Sequence, residues 1–312
     1  MAFDDLRRAL AAQGFVPATT RAAGSQGRRE EAKIRPSELV EHSSARAIDV
    51  GAAAGCPEPV AFLDGVQRHQ VVAYGRRFPF PLVAGVVAAA VRERVDRRLS
   101  TAVHEVRHVL VGRHEALEAA TGLWDEKYHR VVLDEEESEH PVAEMDRAVA
   151  AIDDARSRLE VAVGEAFRAR SNAWLIVDGS LAESRAFARD GRMLGVSKSH
   201  ATLPFSGPDL ETYLRLAPGH RSSVFQPASR RFAPVYAWGL RLWPWEGRDL
   251  LCGLVRVEAA PTRESIARAD EFSRWILAER APVSAPDARW DRLLYGIHNV
   301  EDFLAAIVPA HR

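Results

Sequence analysis

The stretch 174–180, WLIVDGS, is an apolar run that ends on an aspartate followed by glycine. The same pattern occurs at 61–65, AFLDG, so the chain has two such runs, ending on Asp178 and Asp64. Each run predicts a buried strand. A carboxylate that follows it is expected at the carboxyl edge of a sheet, where α/β proteins bind their ligands. The two aspartates are therefore the first candidate site residues.

The pattern of apolar residues predicts an α/β fold. Residues 81–95 are predicted as a strand that runs into a helix, and Gly65 as the turn between the first two strands. Two adjacent strands followed by a third are the opening of a ribonuclease H-like mixed sheet flanked by helices. The other strands are predicted at 59–64, 68–76, 173–178, 193–198, 232–243 and 249–258, and the helices at 3–13, 99–131, 142–170, 263–280 and 287–307.

The chain is predicted to divide into two parts. Residues 1–55 carry one helix and a polar stretch rich in Ala, Gly, Ser and Arg, which indicates a helical or irregular N-terminal extension. Residues 56–312 hold all the strand signals and form the main domain. Thr262 is the predicted N-cap of the helix at 263–280.

Composition is that of an ordinary globular protein, with 312 residues, 47% hydrophobic and 27% charged. No apolar run has membrane length, and the N-terminus lacks a basic start followed by an apolar stretch. The two cysteines, Cys56 and Cys252, fit a reducing compartment. We therefore expect a cytoplasmic protein without a membrane partner.

The formal net charge of −1 gives no general argument for nucleic-acid binding. That does not exclude such binding, because an enzyme needs only a local positive track beside its acidic centre. Candidate tracks are Arg76 with Arg77, the arginines from Arg92 to Arg98, and a third set of Arg221, Arg230 and Arg231. The alternative for each is an ordinary solvated surface.

Carboxylates that converge at a sheet edge suit metal-assisted phosphodiester hydrolysis, which points towards a nuclease. Asp64 and Asp178 are the predicted first ligands, and Glu160, on the helix before the second strand, is the third. Oxygen ligands favour Mg²⁺ or Mn²⁺, and a histidine among them favours Mn²⁺. The alternative for Glu160 is an exposed carboxylate paired with Arg156 one turn away. Glu165 is an alternative third acid.

A second motif, HEVRH at 104–108, matches the zinc-protease pattern HExxH. On a helix, His104 and His108 would share one face and bind zinc, with Glu105 as general base. Arg107 between them would place a charge in a normally buried helix, and eleven histidines make chance matches more frequent. The alternative is an amphipathic surface helix with incidental histidines. A zinc metalloprotease is the competing hypothesis.

The order of segments resembles the NurA nuclease family over residues 58–308. The matching segments are FLDG, RSRLE, WLIVDGSL, GVSKSH and a tyrosine and histidine near the C-terminus. The resemblance implies a ribonuclease H-like core and Mn²⁺-dependent cleavage of DNA, with Mg²⁺ as the alternative that the oxygen ligands allow. It also implies DNA end resection with a HerA-type hexameric ATPase, and a homodimer.

Residue by residue, the resemblance carries the family's site to Asp64, Glu160, Asp178 and His298 as metal ligands. Tyr295 is the nearest match to the family's tyrosine, in a Tyr-Gly-Ile-His sequence that differs from the usual one. Lys198, in GVSKSH, is a candidate to meet a phosphate, and its alternative is a strand-end lysine in solvent. A third hypothesis is a catalytically inactive adaptor that keeps the fold and docks on an ATPase or on DNA.

Overall fold

The structure is a computed structural model that describes residues 4–17, 33–76, 79–95, 98–123, 128–133, 140–198, 200, 202–228, 233–245, 250–280 and 294–308. Its strands are β1 (Val16–Pro17), β2 (Lys33–Ile34), β3 (Glu38–Leu39), β4 (Ala47–Asp49), β5 (Val60–Tyr74), β6 (Pro81–Val95), β7 (Arg98–Gly112), β8 (Tyr128–Val132), β9 (Trp174–Asp178), β10 (Met193–Ser197), β11 (Thr202–Leu203), β12 (His220–Ser222), β13 (Phe225–Gln226), β14 (Tyr236–Arg241) and β15 (Leu254–Ala259). Its helices are α1 (Asp4–Ala12), α2 (His114–Ala119), α3 (Pro141–Arg168), α4 (Arg185–Arg189), α5 (Gly207–Leu214), α6 (Arg263–Ala267), α7 (Ala269–Glu279) and α8 (Tyr295–Ile307), with a 3-10 turn at Leu181–Glu183.

Five strands form the centre of a mixed sheet in the order β7-β6-β5-β9-β10. The pairs β5/β6 and β6/β7 are antiparallel, whereas β5/β9 and β9/β10 are parallel. Three antiparallel strands, with two further strands added in parallel beside the first, form the ribonuclease H-like arrangement. The predicted fold class is therefore confirmed. Strands β15, β14, β13 and β3 continue the sheet beyond β10.

The first two central strands are longer than the sequence pattern predicts. β5 is one strand of 15 residues, so Gly65 lies within it and is not a turn. β6 is a strand throughout and does not turn into a helix. Its first eleven residues are buried, because helices cover both faces of the sheet there. A strand buried on both faces has no alternation of apolar and polar residues, so its apolar run could not be told from a helix.

The helix predicted at 99–131 is wrong. Residues 98–112 form β7, and the described residues after it form the short helix α2 and the strand β8. Most side chains of β7 before Val109 are exposed or half-buried, because the strand runs out beyond the cover of the helices. Exposure on both faces removes the alternation that would have identified a strand.

The long helix predicted before β9 is confirmed as α3. His140 caps it, with its ring accepting a hydrogen bond from the backbone N–H of Val142, and Pro141 occupies the first turn. Its buried stripe includes Ile152, Leu159 and Val163, which pack on one face of the sheet.

Of the other predicted helices, the one at 263–280 is divided at Arg268 into α6 and α7, and Thr262 is its N-cap, as predicted. The last helix is described from 295 onward, and its predicted start at 287 lies outside the described residues.

The opposite face of the sheet is covered by α1, α7 and α8. Leu6 and Leu10 of α1 are fully buried, and β1 pairs with β5. Residues 18–32 of the predicted N-terminal extension lie outside the described residues, and the division at residue 55 stays a prediction. No helix in the described ranges is long and apolar enough to cross a membrane.

Helix α8 lies close against β5 because residue 296 is glycine. A Cβ at Gly296 would overlap the ring of Phe62, which is fully buried. The neighbouring Ile297 and Val300 are also buried in this interface. This contact fixes the position of the rest of α8 over the sheet.

Gly296→Val should destabilise the protein by about 1–3 kcal/mol, because the added side chain forces α8 away from Phe62. Chemical denaturation measures the change. Ala305→Val, at an exposed position of the same helix, is the matched control and should cost less than about 1 kcal/mol. Equal losses in the two variants would show that the close contact does not hold α8.

Candidate active site

Asp64 and Asp178 lie side by side at the edge where β9 ends. The last paired residues of the parallel strands β5 and β9 are Leu63 and Val177, so the two aspartates follow them directly. Asp64 is 6% exposed, although β5 continues for ten residues beyond it. The two aspartates converge as the sequence pattern predicts, but only Asp178 ends its strand, whereas Asp64 lies within β5.

A third carboxylate reaches them from α8. One oxygen from each of Asp64, Asp178 and Glu301 lies within 4.8 Å of the other two. We call these three residues the acid triad. Three carboxylates converging at this distance are a donor set for a hard divalent cation such as Mg²⁺ or Mn²⁺. Glu301 was missed in the sequence analysis, and its only signal is its position one turn after His298 on the same helix face.

Glu160 approaches from the other face of the sheet, on α3. It lies over Gly65, where a Cβ would overlap its carboxylate. It also pairs with Arg156 one turn away, as the alternative reading predicted, but its side chain is only 13% exposed. Glu160 is therefore buried beside the site without belonging to the acid triad. Glu165 is exposed and contacts Ser184 instead.

Lys198 follows β10 and lies among the carboxylates. Its Nζ is 2.9 Å from Asp178 Oδ2 and 3.8 Å from Glu301 Oε1. Burial tends to lower the pKa of Lys198, but the Asp178 carboxylate outweighs it and the pKa is raised. The lysine is therefore a cation within the site and not a strand-end residue in solvent.

His298 touches the acid triad through Glu301. Its Nδ1 is 3.2 Å from Glu301 Oε2, and its Nε2 is 3.4 Å from Asp302 Oδ2. The nitrogens of its imidazole do not join the carboxylate oxygens of the acid triad that lie within 4.8 Å of one another. Tyr295, at the start of the same helix, is 59% exposed. The described geometry therefore places Glu301 closer than His298 to the position of a cation.

The site carries an excess of negative charge. The pKa of Asp64 is raised well above its usual value by burial and by the carboxylates of Asp178, Glu160 and Glu301, although the Gly65 N–H donates to Asp64 Oδ1 at 2.7 Å. Burial raises the pKa of Glu160 to about 7, even though Arg156 opposes the shift. A divalent cation would relieve this repulsion, so the residues present fit a metal of the kind that the donor set favours.

Two arginines of the tracks predicted from the sequence, Arg94 and Arg221, bind carboxylates away from the acid triad. Arg221 is 3% exposed and binds Glu41 with both terminal nitrogens. Arg94 binds Glu279 in the same two-point manner. Arg77, Arg230 and Arg231 lie outside the described residues.

The HEVRH segment does not form a zinc site, because it lies in β7 and not in a helix. In a strand, residues four apart point to the same face but are separated by roughly 13 Å, at about 3.3 Å per residue. The ring of His104 packs edge-on against Phe303, and Glu105 binds Arg107 at 2.6 Å. The zinc metalloprotease hypothesis required the helix and is therefore wrong.

The fold and the site together define a ribonuclease H-like α/β protein with a partly buried carboxylate centre. No family model matches the chain, and no curated protein matches it. Among solved structures it is similar to the crystal structure of the NurA nuclease from Sulfolobus solfataricus. The identity is 11% and the TM-score 0.45, over 86% of this chain and 81% of that chain. The chemistry of the centre is therefore inferred from its own geometry.

Asp64→Asn should raise the melting temperature of the metal-free protein, because folded Asp64 must hold a proton or carry a charge opposed by its neighbours, whereas the amide has neither cost and can still accept from Gly65. A gain of 1 kcal/mol corresponds to roughly 2 °C in a chain of this size. Differential scanning fluorimetry in chelator measures it, with Asp154→Asn on the exposed face of α3 as control.

Excess Mn²⁺ should make the melting temperature of the wild type higher than that of Asp64→Asn, because a ligand that binds only the folded state stabilises it. The wild type should gain melting temperature with Mn²⁺, and Asp64→Asn should gain little. A lower melting temperature for Asp64→Asn in chelator would contradict the charge repulsion inferred at this site.

Glu160→Gln should stabilise the metal-free protein in a pH-dependent way. Folded Glu160 keeps its proton up to about pH 7, whereas the unfolded side chain loses it near 4.5. The wild type therefore loses stability as pH rises through this window, and the glutamine variant does not. We expect an advantage of about 1–3 kcal/mol above pH 7 that vanishes below pH 4.5.

Urea denaturation at several pH values in chelator measures this difference. Glu165→Gln is the matched control, since Glu165 is exposed on the same helix, and it should show no such pH dependence. A stability difference that does not change with pH would rule out the raised pKa as its cause.

Proposed function

We propose that this protein is a metal-dependent nuclease that hydrolyses DNA phosphodiester bonds. The observation that carries the proposal is the acid triad, whose carboxylate oxygens lie within 4.8 Å of one another at the edge of a ribonuclease H-like sheet. Buried carboxylates are costly unless they are paired or bind metal. Lys198 offsets part of this charge through Asp178, whereas Arg156 is bound to Glu160 and Asp153, which are not members of the acid triad.

Asp64, Asp178 and Glu301 would hold one or two ions, Mn²⁺ or Mg²⁺. When bound, such ions activate water and offset the charge that develops on the phosphate oxygens. His298 orients the Glu301 carboxylate through its Nδ1 contact, in the role that residues behind metal ligands usually have. Sequence similarity assigned His298 as a ligand itself, and in the present proposal it is a positioning residue.

Glu160 and Lys198 have separate roles in the proposal. A carboxyl group with a pKa of about 7 exchanges its proton readily at neutral pH, so Glu160 suits a general base for the attacking water. Lys198 keeps its charge and would move from Asp178 to a non-bridging oxygen of the scissile phosphate. It acts there as a point charge that binds and orients the phosphate.

The substrate, partners and location follow from the sequence resemblance and stay predictions. They are DNA as substrate, end resection with a HerA-type hexameric ATPase, a homodimeric state and a cytoplasmic location. The catalytically inactive adaptor is the alternative, and it would tolerate loss of the acid triad without loss of function.

Cleavage of end-labelled linear DNA tests the proposal, with Mn²⁺, Mg²⁺, Zn²⁺ or chelator in separate reactions. Asp64→Ala, Asp178→Ala and Glu301→Ala should each lower the Mn²⁺-dependent rate by about 100-fold or more, because each removes a ligand. His298→Ala should cost about tenfold, as expected for a residue behind a ligand. Asp154→Ala, exposed on α3, is the control and should cleave at the wild-type rate.

An Asp178→Ala protein that cleaves at the wild-type rate would remove the acid triad from the mechanism. If the wild-type protein does not cleave DNA with any of the metals, either alone or with a HerA-type ATPase, the adaptor hypothesis would be favoured. Equal losses in Glu301→Ala and Asp154→Ala would show that the third ligand is not Glu301.

A further inference from the structure

The acid triad is in contact with a cation of the protein itself, the ammonium group of Lys198. Lys198 Nζ donates to Asp178 Oδ2 at 2.9 Å and lies 3.8 Å from Glu301 Oε1. Asp178 and Glu301 are two of the three carboxylates whose oxygens lie within 4.8 Å of one another. Lys198 therefore contacts the same carboxylates that are proposed to hold a divalent ion.

The backbone brings Lys198 to this position. Strand β10 runs parallel to β9 with Val196 opposite Asp178, and Lys198 follows two residues after Val196, just past the end of β10. The side chains of Lys198 and Asp178 are 21% and 19% exposed. Solvent and salt screen a partly buried ion pair less than one on the surface. The contact is therefore part of the site and not an incidental surface pair.

The charges of the acid triad leave room for a second cation beside Lys198. The three carboxylates carry three negative charges when all are ionised, and Lys198 offsets one of them. Arg156 is bound to Glu160 and Asp153, which are not members of the triad. A divalent ion would offset the two charges that remain. Lys198 and the ion are therefore attracted to the same carboxylates.

Lys198 and a divalent ion would also repel each other at the acid triad. An ion bound to Asp178 and Glu301 would share both of these neighbours with Lys198 Nζ. Like charges in contact with the same groups repel strongly where screening by solvent is weak. Lys198 also uses Asp178 Oδ2, one of the oxygens available to the ion. Binding of the ion is therefore weakened as long as Lys198 remains at Asp178.

We infer that Lys198 competes with the divalent ion for the acid triad and weakens metal binding until a phosphate group of the substrate is present. The non-bridging oxygens of a phosphodiester can accept from the Lys198 ammonium, so the lysine can leave Asp178 without losing a counter-charge. Metal and substrate therefore bind cooperatively, each more tightly in the presence of the other. This inference rests on the proposed nuclease function and specifies how its site is regulated.

Isothermal titration calorimetry with Mn²⁺ tests the competition without measuring cleavage. Lys198→Met removes the ammonium charge and should bind Mn²⁺ about tenfold more tightly than the wild type. Lys198→Gln, a second uncharged variant, should bind it more tightly as well. Lys33→Met, in the exposed strand β2, makes the same change in net charge and should keep the wild-type affinity. Circular dichroism shows whether each variant is folded.

Binding of a phosphodiester strand tests the cooperative part of the inference. Fluorescence anisotropy measures the affinity for a labelled thymidine decamer with and without Ca²⁺, which is used in place of Mn²⁺ so that the strand stays intact. Saturating Ca²⁺ should tighten this binding about tenfold in the wild type and only about threefold in Lys198→Met. A methylphosphonate decamer, which has no backbone charge, should show no effect of Ca²⁺ in either protein.

Mn²⁺ affinity in both Lys198 variants that is equal to or weaker than that of the wild type would overturn the competition. Equal effects of Ca²⁺ in the wild type and Lys198→Met would overturn the cooperativity. Mn²⁺-dependent cleavage by the wild type without tighter binding in the variants would refute the competition and leave the nuclease function intact. Tighter Mn²⁺ binding by the variants without cleavage by the wild type would support the competition and refute the function. No Mn²⁺ binding by any of these proteins would refute both.

Discussion

Repulsion between the buried Asp64 carboxylate and the partly buried carboxylates around it is the constraint on which the candidate site depends. Asp64 is almost fully buried, and its charge is opposed by those of Asp178, Glu160 and Glu301. Lys198 offsets part of this charge through Asp178. A core that only needed stability would not collect four acids at one point, since each costs free energy when ionised. Such local cost is typical of sites that bind a cation or carry out chemistry.

Two glycines on the two faces of the sheet make this concentration of charge geometrically possible. Gly65 leaves space on one face for the Glu160 carboxylate, and Gly296 lets α8 approach Phe62 on the other. Glu160 and Glu301 therefore reach the same strand from opposite sides. The site is built around the edge of the sheet. The positions of Glu160 and Glu301 in it depend on how closely α3 and α8 pack on the sheet.

The HEVRH segment shows that the same residues have different chemistry in different backbones. His104 and His108 would lie one turn apart in a helix, but in β7 they are too distant to share an ion. The proximity of Asp64 and Asp178 depends on backbone structure in the same way. Asp64 and Asp178 meet only because β5 and β9 are parallel and in register, with Leu63 opposite Val177. Spacing along the chain has chemical meaning only once the secondary structure and its pairing are known.

The sequence by itself determined that Asp64 and Asp178 follow buried apolar strand segments, and it determined the helix α3 and the central α/β order. These follow from local signals, namely apolar runs that end on Asp-Gly and a helical period of buried residues. The lengths of β6 and β7 were not readable, because burial on both faces of one and exposure on both faces of the other erase the alternation that marks a strand.

Only the tertiary structure decided that Glu301 joins Asp64 and Asp178. The three residues lie far apart in the chain. The sequence of an amphipathic helix does not distinguish an acid exposed to solvent from one that faces the site, because that depends on where the helix packs. Local patterns record which face of an element is buried, but packing alone determines which elements that face meets.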